Sequence, residues 1–282
     1  MDKREKIGLV LADALKAGAY FLIYFLSQIL VGIVLGVVFM IAMPSESIDD
    51  ILVTRSLEIS VISNVISIVF CVLLMRVMEK KSTAEGLDMN VSFIRPKTVL
   101  GLSLALGVFG QYAIAVFLSF IPFPESWIEM QGASSDLITS GSLAMQFIAV
   151  AIMAPLAEEI IFRVCIQGTL SRHLPKWVAI ISTSFIFGLM HGNPIAIIYA
   201  TVLGILMGWL YSEFKSIFPS MVFHFGFNLT SILMGQNPPF ILFLIATAFF
   251  AVSLAFLAYL STLNKTGDNT THDEGDNDNE AL

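Results

Sequence analysis

Long apolar stretches alternate with short polar connections over almost the whole chain. A helix needs roughly 20 residues to cross a hydrocarbon core of roughly 30 Å, and most of these stretches approach or exceed that length. We identify eight stretches and predict one helix for each. They cover residues 17–43, 57–78, 98–121, 142–170, 177–191, 195–212, 217–234 and 240–263. The pattern predicts an all-α fold, a polytopic membrane helix bundle with about eight transmembrane helices.

The composition is typical of an integral membrane protein. Of the 282 residues, 56% are hydrophobic and only 13% are charged, and the mean hydropathy is +0.83. Soluble domains have about 45–50% apolar and about 25% charged residues. We therefore expect the lipid bilayer to surround the bundle, and we expect no nucleic-acid partner.

Basic residues fall on one side of the predicted bundle. With eight crossings and a cytoplasmic N-terminus, Arg55 is the one basic residue in an external connection, and Arg163 lies within an apolar stretch. All other Lys and Arg residues then lie at the cytoplasmic face, as the positive-inside rule requires. The distribution predicts a multi-pass protein of the cell membrane with both termini in the cytoplasm. The connection at residues 122–140 is predicted to be an external loop.

Polar side chains interrupt the apolar stretches between residues 142 and 234. Each ionisable group near the centre of a bilayer costs roughly 2.5–3.5 kcal/mol, so several of them together indicate a polar interior or a water-filled cavity. We expect the functional residues to lie there. The polar residues are Gln146, Glu158, Glu159, Arg163, His191, Asn193, His224 and Asn228.

The spacing of the charged residues suggests different roles for the two glutamates. Glu159 and Arg163 are four residues apart, share a helix face and are predicted to form a structural ion pair. Glu158 is rotated by about 100° from Glu159 and faces a neighbouring helix without a cation of its own. Counted from the cytoplasmic charges, Glu158, His191 and His224 have overlapping depths, so their side chains could line one cavity.

These residue types are suited to the hydrolysis of a peptide bond within the membrane. A carboxylate and an imidazole can deprotonate a water molecule, while a second imidazole and an amide can stabilise the resulting oxyanion. The sequence contains no HExxH zinc motif and no GxSxG elbow. Two other functions remain open at this point: a proton-coupled membrane transporter, and a non-catalytic membrane scaffold or immunity protein.

Three short motifs resemble those of the CAAX-protease and bacteriocin-processing (CPBP or Abi) family of intramembrane glutamate endopeptidases. The motifs EExxxR, FxxxH and HxxxN stand here as Glu158, Glu159 and Arg163, Phe187 and His191, and His224 and Asn228. The resemblance covers roughly residues 95–235. It implies three regions: an N-terminal segment with the first two transmembrane helices (1–94), a catalytic membrane core (95–264) and a disordered acidic cytoplasmic tail (265–282).

The resemblance also implies a role for each site residue. Glu158 and His191 would activate water, and His224 and Asn228 would form the oxyanion hole. The motif residues Glu159, Arg163 and Phe187 are expected to be supporting residues. The implied substrate is a peptide or a membrane-tethered protein: a prenylated C-terminal tail in eukaryotic relatives, or a bacteriocin or signalling peptide.

The sequence leaves the question of a metal cofactor open. Members of the family have also been described as metalloproteases, and Glu158, His191 and His224 could together supply a zinc site. Asn228 is a poor zinc ligand but a good donor to an oxyanion. We therefore predict a mechanism without a cofactor, with zinc as the alternative.

Overall fold

The computed structural model describes residues 2–79, 96–234 and 240–277. Within these ranges the chain forms helices and no strand. The helices are α1 (Lys3–Ala42), α2 (Ile48–Thr54), α3 (Ser56–Glu79), α4 (Pro96–Ser119), α5 (Glu125–Thr139), α6 (Leu143–Leu170), α7 (Lys176–Leu189), α8 (Pro194–Phe214), α9 (Ile217–Leu233) and α10 (Phe240–Asn277).

The prediction of an all-α membrane bundle is confirmed, but among the described residues fewer than eight helices are long and apolar enough to cross a membrane. Each predicted stretch is helical over most of its length. Among the described residues, five helices are long and apolar enough to span a bilayer: α1, α3, α4, α8 and α10. A bent pair, α5 with α6, would make six. The helix α7 has 14 residues and is about 21 Å long, shorter than a hydrocarbon core.

The predicted external loop at residues 122–140 is wrong, because most of it forms the helix α5. Pro124 stands at its N-cap, and Ser140 follows its last residue. Pro124 and Ser140 therefore mark the two ends of this helix. The helix bends by 107° from α6, so it runs across the bundle rather than along it.

Of the two predicted boundaries between regions, one lies outside the described residues and the other lies within α10. The boundary between residues 94 and 95 lies outside the described residues. The acidic tail was predicted to be disordered from residue 265, whereas the structure continues α10 as a helix to Asn277. Residues 278–282 are not among those described.

The first two long helices are joined by polar side chains, which we call the polar ladder: the buried Ser27 and the half-buried Gln28 on α1, and the buried Ser63, Asn64 and Ser67 on α3. The amide nitrogen of Gln28 donates to Asn64 Oδ1 at 3.0 Å, and the Ser63 hydroxyl donates to Gln28 Oε1 at 2.6 Å. The hydroxyls of Ser27 and Ser67 bond to each other. Such bonds stabilise the association of helices that are surrounded by lipid.

Close backbone contact fixes the position of α9 against α4. A Cβ atom added to Gly107 of α4 would lie 2.1 Å from the carbonyl oxygen of Phe223, and one added to Gly226 of α9 would lie 2.9 Å from that of Leu104. Only glycine allows this approach of two helix backbones. The crossing determines where the residues next to Phe223 are placed.

Candidate active site

Two π-helical segments, Phe147–Met153 and Glu159–Gln167, interrupt the α-helical hydrogen bonding of α6. Pro155 lies between them and has no N–H to continue the hydrogen-bond ladder. Segments of this kind are often found at functional sites. Glu158 and Glu159 stand where the second segment begins.

Glu159 connects two partners at the centre of the bundle. Its Oε2 accepts a hydrogen bond from Arg163 Nε at 3.1 Å, and both side chains are completely buried. Its Oε1 lies 3.2 Å from Nδ1 of His224 on α9. The ion pair with Arg163 is the one that the sequence predicts. The contact with His224 was not predicted, since it joins two different helices.

His224 lies between the two glutamates. Its Nδ1 faces Glu159, and its Nε2 lies 3.6 Å from Oε2 of Glu158. The Glu158 side chain is 18% exposed, whereas that of Glu159 is fully buried. Glu158 thus faces a neighbouring helix, as expected, and of the two carboxylates it is the one accessible to a substrate.

His191 follows the end of α7, in a turn. Its Nδ1 lies 3.1 Å from the carbonyl oxygen of Phe187. A carbonyl oxygen can only accept a hydrogen bond, so this nitrogen carries the ring proton. The other nitrogen, Nε2, is then a hydrogen-bond acceptor when the ring is neutral.

The Phe187 ring packs against three residues of the site. Its centroid is 4.9 Å from that of the His191 ring and 6.0 Å from that of the His224 ring, both in edge-on geometry. The Arg163 guanidinium carbon lies 5.4 Å from the same centroid, within range of a cation–π interaction. Phe187 therefore orients both imidazoles by packing, a contribution that its position in the motif did not reveal.

Asn228 satisfies a carbonyl group that α6 leaves without a helical partner. The Ala154 N–H bonds to the carbonyl of Ala149, five residues earlier. In this register the carbonyl of Val150 would need the N–H of residue 155, which is a proline. The Asn228 side chain supplies the missing bond, with Nδ2 donating to Val150 O at 2.9 Å. One N–H and the oxygen of its amide are left for other partners.

The predicted catalytic residues share one cavity. It has a volume of about 870 Å³, and its walls include Glu158, His191, His224 and Asn228. Other wall residues come from α3, α4, α5 and α8. Sequence reasoning missed this contribution of α5, because its residues were assigned to a loop outside the bundle.

The three residues named for the alternative zinc site, Glu158, His191 and His224, all line the cavity. Nowhere in the described ranges do three His, Cys, Asp or Glu side chains form a group that could hold a metal ion. The set of Glu158, His191 and His224 is therefore brought to one cavity but not into the geometry of a ligand cluster.

Comparisons with known proteins agree with this arrangement. A family model described as "Type II CAAX prenyl endopeptidase Rce1-like" matches residues 140–230, a range that contains all three motifs. A Bacillus subtilis (strain 168) protein named "Putative membrane peptidase YdiL" is 26% identical over 185 residues, which are 64% of this chain and 72% of that protein. No solved structure matches at a significant level.

With the helical bundle, these matches support a multi-pass membrane protease of the CAAX type. Both matches support the resemblance to the CAAX-protease and bacteriocin-processing family that the motifs predicted.

Proposed function

We propose that this chain is an intramembrane endopeptidase in which Glu158 and His191 activate water and His224 and Asn228 stabilise the oxyanion. The observation that carries the proposal is the common cavity of these four side chains, with Glu158 Oε2 only 3.6 Å from His224 Nε2. The substrate is a peptide bond of a membrane-associated peptide or protein.

The first step is the addition of water to the carbonyl carbon. The Glu158 carboxylate takes a proton from the water, and the hydroxide forms a bond to carbon while the carbonyl electrons move to oxygen. The Nδ1 proton of His191 is held by Phe187 O, so its Nε2 is the nitrogen that can accept a hydrogen bond from the water. This geometry is compatible with His191 as the partner of Glu158 in activating water.

The oxyanion is stabilised by hydrogen-bond donors whose positions are fixed before the reaction. Nε2 of His224, acting as an N–H donor, and the second amide N–H of Asn228 are the proposed donors, because Nδ1 of His224 is already held by Glu159 and one Asn228 N–H by Val150. When the intermediate collapses, the C–N bond breaks and the proton held by Glu158 passes to the leaving amine. Glu159 and Arg163 act as positioning residues for His224.

The comparison of Glu158→Gln with the wild-type chain tests the proposal. Peptides released from membranes that contain each protein are identified by mass spectrometry. Removing the base should lower the rate of cleavage about 10²–10⁴-fold, while the change of the exposed residue Glu46→Gln should leave it unaltered. Identical peptides at identical rates from Glu158→Gln and wild type would refute the proposal.

We also propose that the mechanism needs no metal, since an amide in the oxyanion hole fits this residue set better than a zinc ligand does. Purified protein should retain its activity after exhaustive chelation. A loss of activity that zinc restores would reverse this part of the proposal.

A further inference from the structure

Two of the polar residues in the apolar stretches, Gln146 and Asn193, have no part in the proposed mechanism. Both donate hydrogen bonds towards α5, the helix that crosses the bundle and lines the cavity. The Gln146 amide nitrogen bonds the carbonyl oxygens of Gly141 at 2.8 Å and Thr139 at 3.2 Å, where α5 ends. The Asn193 amide nitrogen bonds the hydroxyl oxygen of Ser134, within α5, at 3.1 Å. None of the residues of α5 is buried, so polar bonds of this kind help to fix its position.

Asn193 also holds the start of α8. Its Oδ1 accepts a hydrogen bond from the Ala196 N–H at 2.8 Å, and this makes Asn193 the N-cap of the helix. Asn193 is buried and does not belong to the cavity wall. It therefore connects α8 to α5 from behind the wall, where it does not touch a ligand in the cavity.

A tight turn joins Asn193 to His191. The Asn193 N–H donates to the His191 carbonyl oxygen, two residues earlier, at 2.9 Å, and this bond closes a three-residue γ-turn. Gly192 at the centre of the turn has a φ of +75°, in the region that residues with a Cβ rarely adopt. Few backbone angles separate the two residues, so a displacement of Asn193 is transmitted to His191.

The position of His191 depends on this turn more than the position of His224 depends on any turn. His224 lies within α9, and its ring is held by Glu159 of another helix. His191 follows the end of α7 at Leu189, and its ring bonds Phe187 O of the same segment. A shift of about 1 Å in a reacting group can lower a rate about 10²-fold. The turn is therefore a point at which small displacements affect the chemistry.

Resting on the proposed function, we propose that Asn193 is a positioning residue of the reaction. Its bonds to Ser134 of α5 and to the start of α8 hold the turn that places His191 in the cavity with Glu158. The helix α5 thus has two roles, since it lines the cavity and anchors the turn of His191. The docking of α5 and the placement of His191 are coupled through Asn193.

Two small substitutions break the contact from either side. Asn193→Ser keeps a hydroxyl for the N-cap of α8 but lacks the amide that reaches Ser134. Ser134→Ala removes the acceptor, together with the bond of its hydroxyl to Met130 O within α5. Ser135→Ala is the matched control, because it also removes a hydroxyl that bonds within α5, to Gln131 O at 3.0 Å.

The probe is the peptide that wild-type membranes release fastest in the comparison with Glu158→Gln. It is synthesised with a fluorophore and a quencher on either side of the cleaved bond. Purified full-length variants in lipid vesicles give kcat and KM from the increase in fluorescence. Thermal unfolding in detergent, followed by circular dichroism, shows whether each variant is folded.

We expect Asn193→Ser and Ser134→Ala each to lower kcat about three- to tenfold with little change in KM, since each loses one bond that holds the turn of His191. The double variant should be no slower than either single variant. By contrast, Asn193→Ser and Ser135→Ala should have independent effects that multiply. In a His191→Ala background, Asn193→Ser should cause no further fall in kcat, whereas a general loss of structure would still lower it.

The outcomes separate this inference from the proposed function. Wild-type kcat in Ser134→Ala, effects that multiply when Asn193→Ser and Ser134→Ala are combined, or a further fall in the His191→Ala background would each overturn the inference. The proposed function would stand in these cases as long as cleavage depends on Glu158. If Asn193→Ser does not fold, Ser134→Ala at its half-buried position decides alone. No cleavage by the wild-type protein, or equal cleavage by Glu158→Gln, would contradict both.

Discussion

The bundle contains two groups of polar side chains at helix contacts that differ in how completely their hydrogen bonds are closed. In the polar ladder between α1 and α3, every residue is neutral and bonds to another member, as when the Gln28 amide bonds Asn64 at 3.0 Å and Ser63 at 2.6 Å. No member of the ladder belongs to the cavity wall. The ladder therefore connects two helices and leaves nothing for a ligand.

The site around His224 is built differently. It contains charged residues, and only its inner part is closed: Glu159 is fully buried between Arg163 and His224. Its outer part, with Glu158 and Asn228, faces the cavity. The two groups therefore differ in that the ladder uses its hydrogen bonds between its own members, whereas the site directs part of its bonding capacity into the cavity.

The largest expected effect on stability comes from breaking the closed inner part of the site. Arg163→Met would leave the Glu159 carboxylate buried with no arginine, at a cost of about 3–5 kcal/mol in the free energy of unfolding. Thermal unfolding in detergent, followed by circular dichroism, measures the change. Adding Glu159→Gln should recover part of the stability, because the unpaired charge is then removed. An Arg163→Met variant as stable as the wild type would contradict this account of the ion pair between Glu159 and Arg163.

A matched pair of asparagines sharpens the comparison. Asn228→Leu should lower kcat by about 10²–10³-fold with little effect on KM, because its amide acts on the oxyanion of the transition state. Asn64→Leu makes the same change in the polar ladder and should lower stability while kcat is retained. Peptide cleavage and thermal unfolding are measured for both variants. Equal losses of kcat would show that the two regions do not differ as described.

The smallest effect is expected within the polar ladder itself. Ser67→Ala removes two neutral interhelical bonds, to Ser27 and Gln28, and such bonds contribute about 0.6 kcal/mol each on average. We expect a slight fall in the unfolding temperature and unchanged cleavage of peptides. A loss of activity comparable to that of Glu158→Gln would mean that the ladder takes part in the function.

The prediction from sequence worked best for the long helices and the choice of residues around the site. It failed for α5, which was predicted as a loop between two apolar stretches, although Pro124 and Ser140 stand at the ends of a helix. It placed the first two apolar stretches outside the catalytic core. In the structure Tyr24 of α1 packs edge-on against Phe162 of α6, with ring centroids 5.7 Å apart.

By itself the sequence determined that this protein is a helical membrane bundle, since the length of an apolar run and the cost of placing charge in lipid are properties of short segments. It also determined that Glu159 can pair with Arg163 within one helix. Only the tertiary structure decided that Glu159 holds His224, that Asn228 replaces the N–H missing at Pro155, and that α5 helps to enclose the cavity. Those contacts join residues up to 78 positions apart, so they depend on how the helices cross and not on any local pattern.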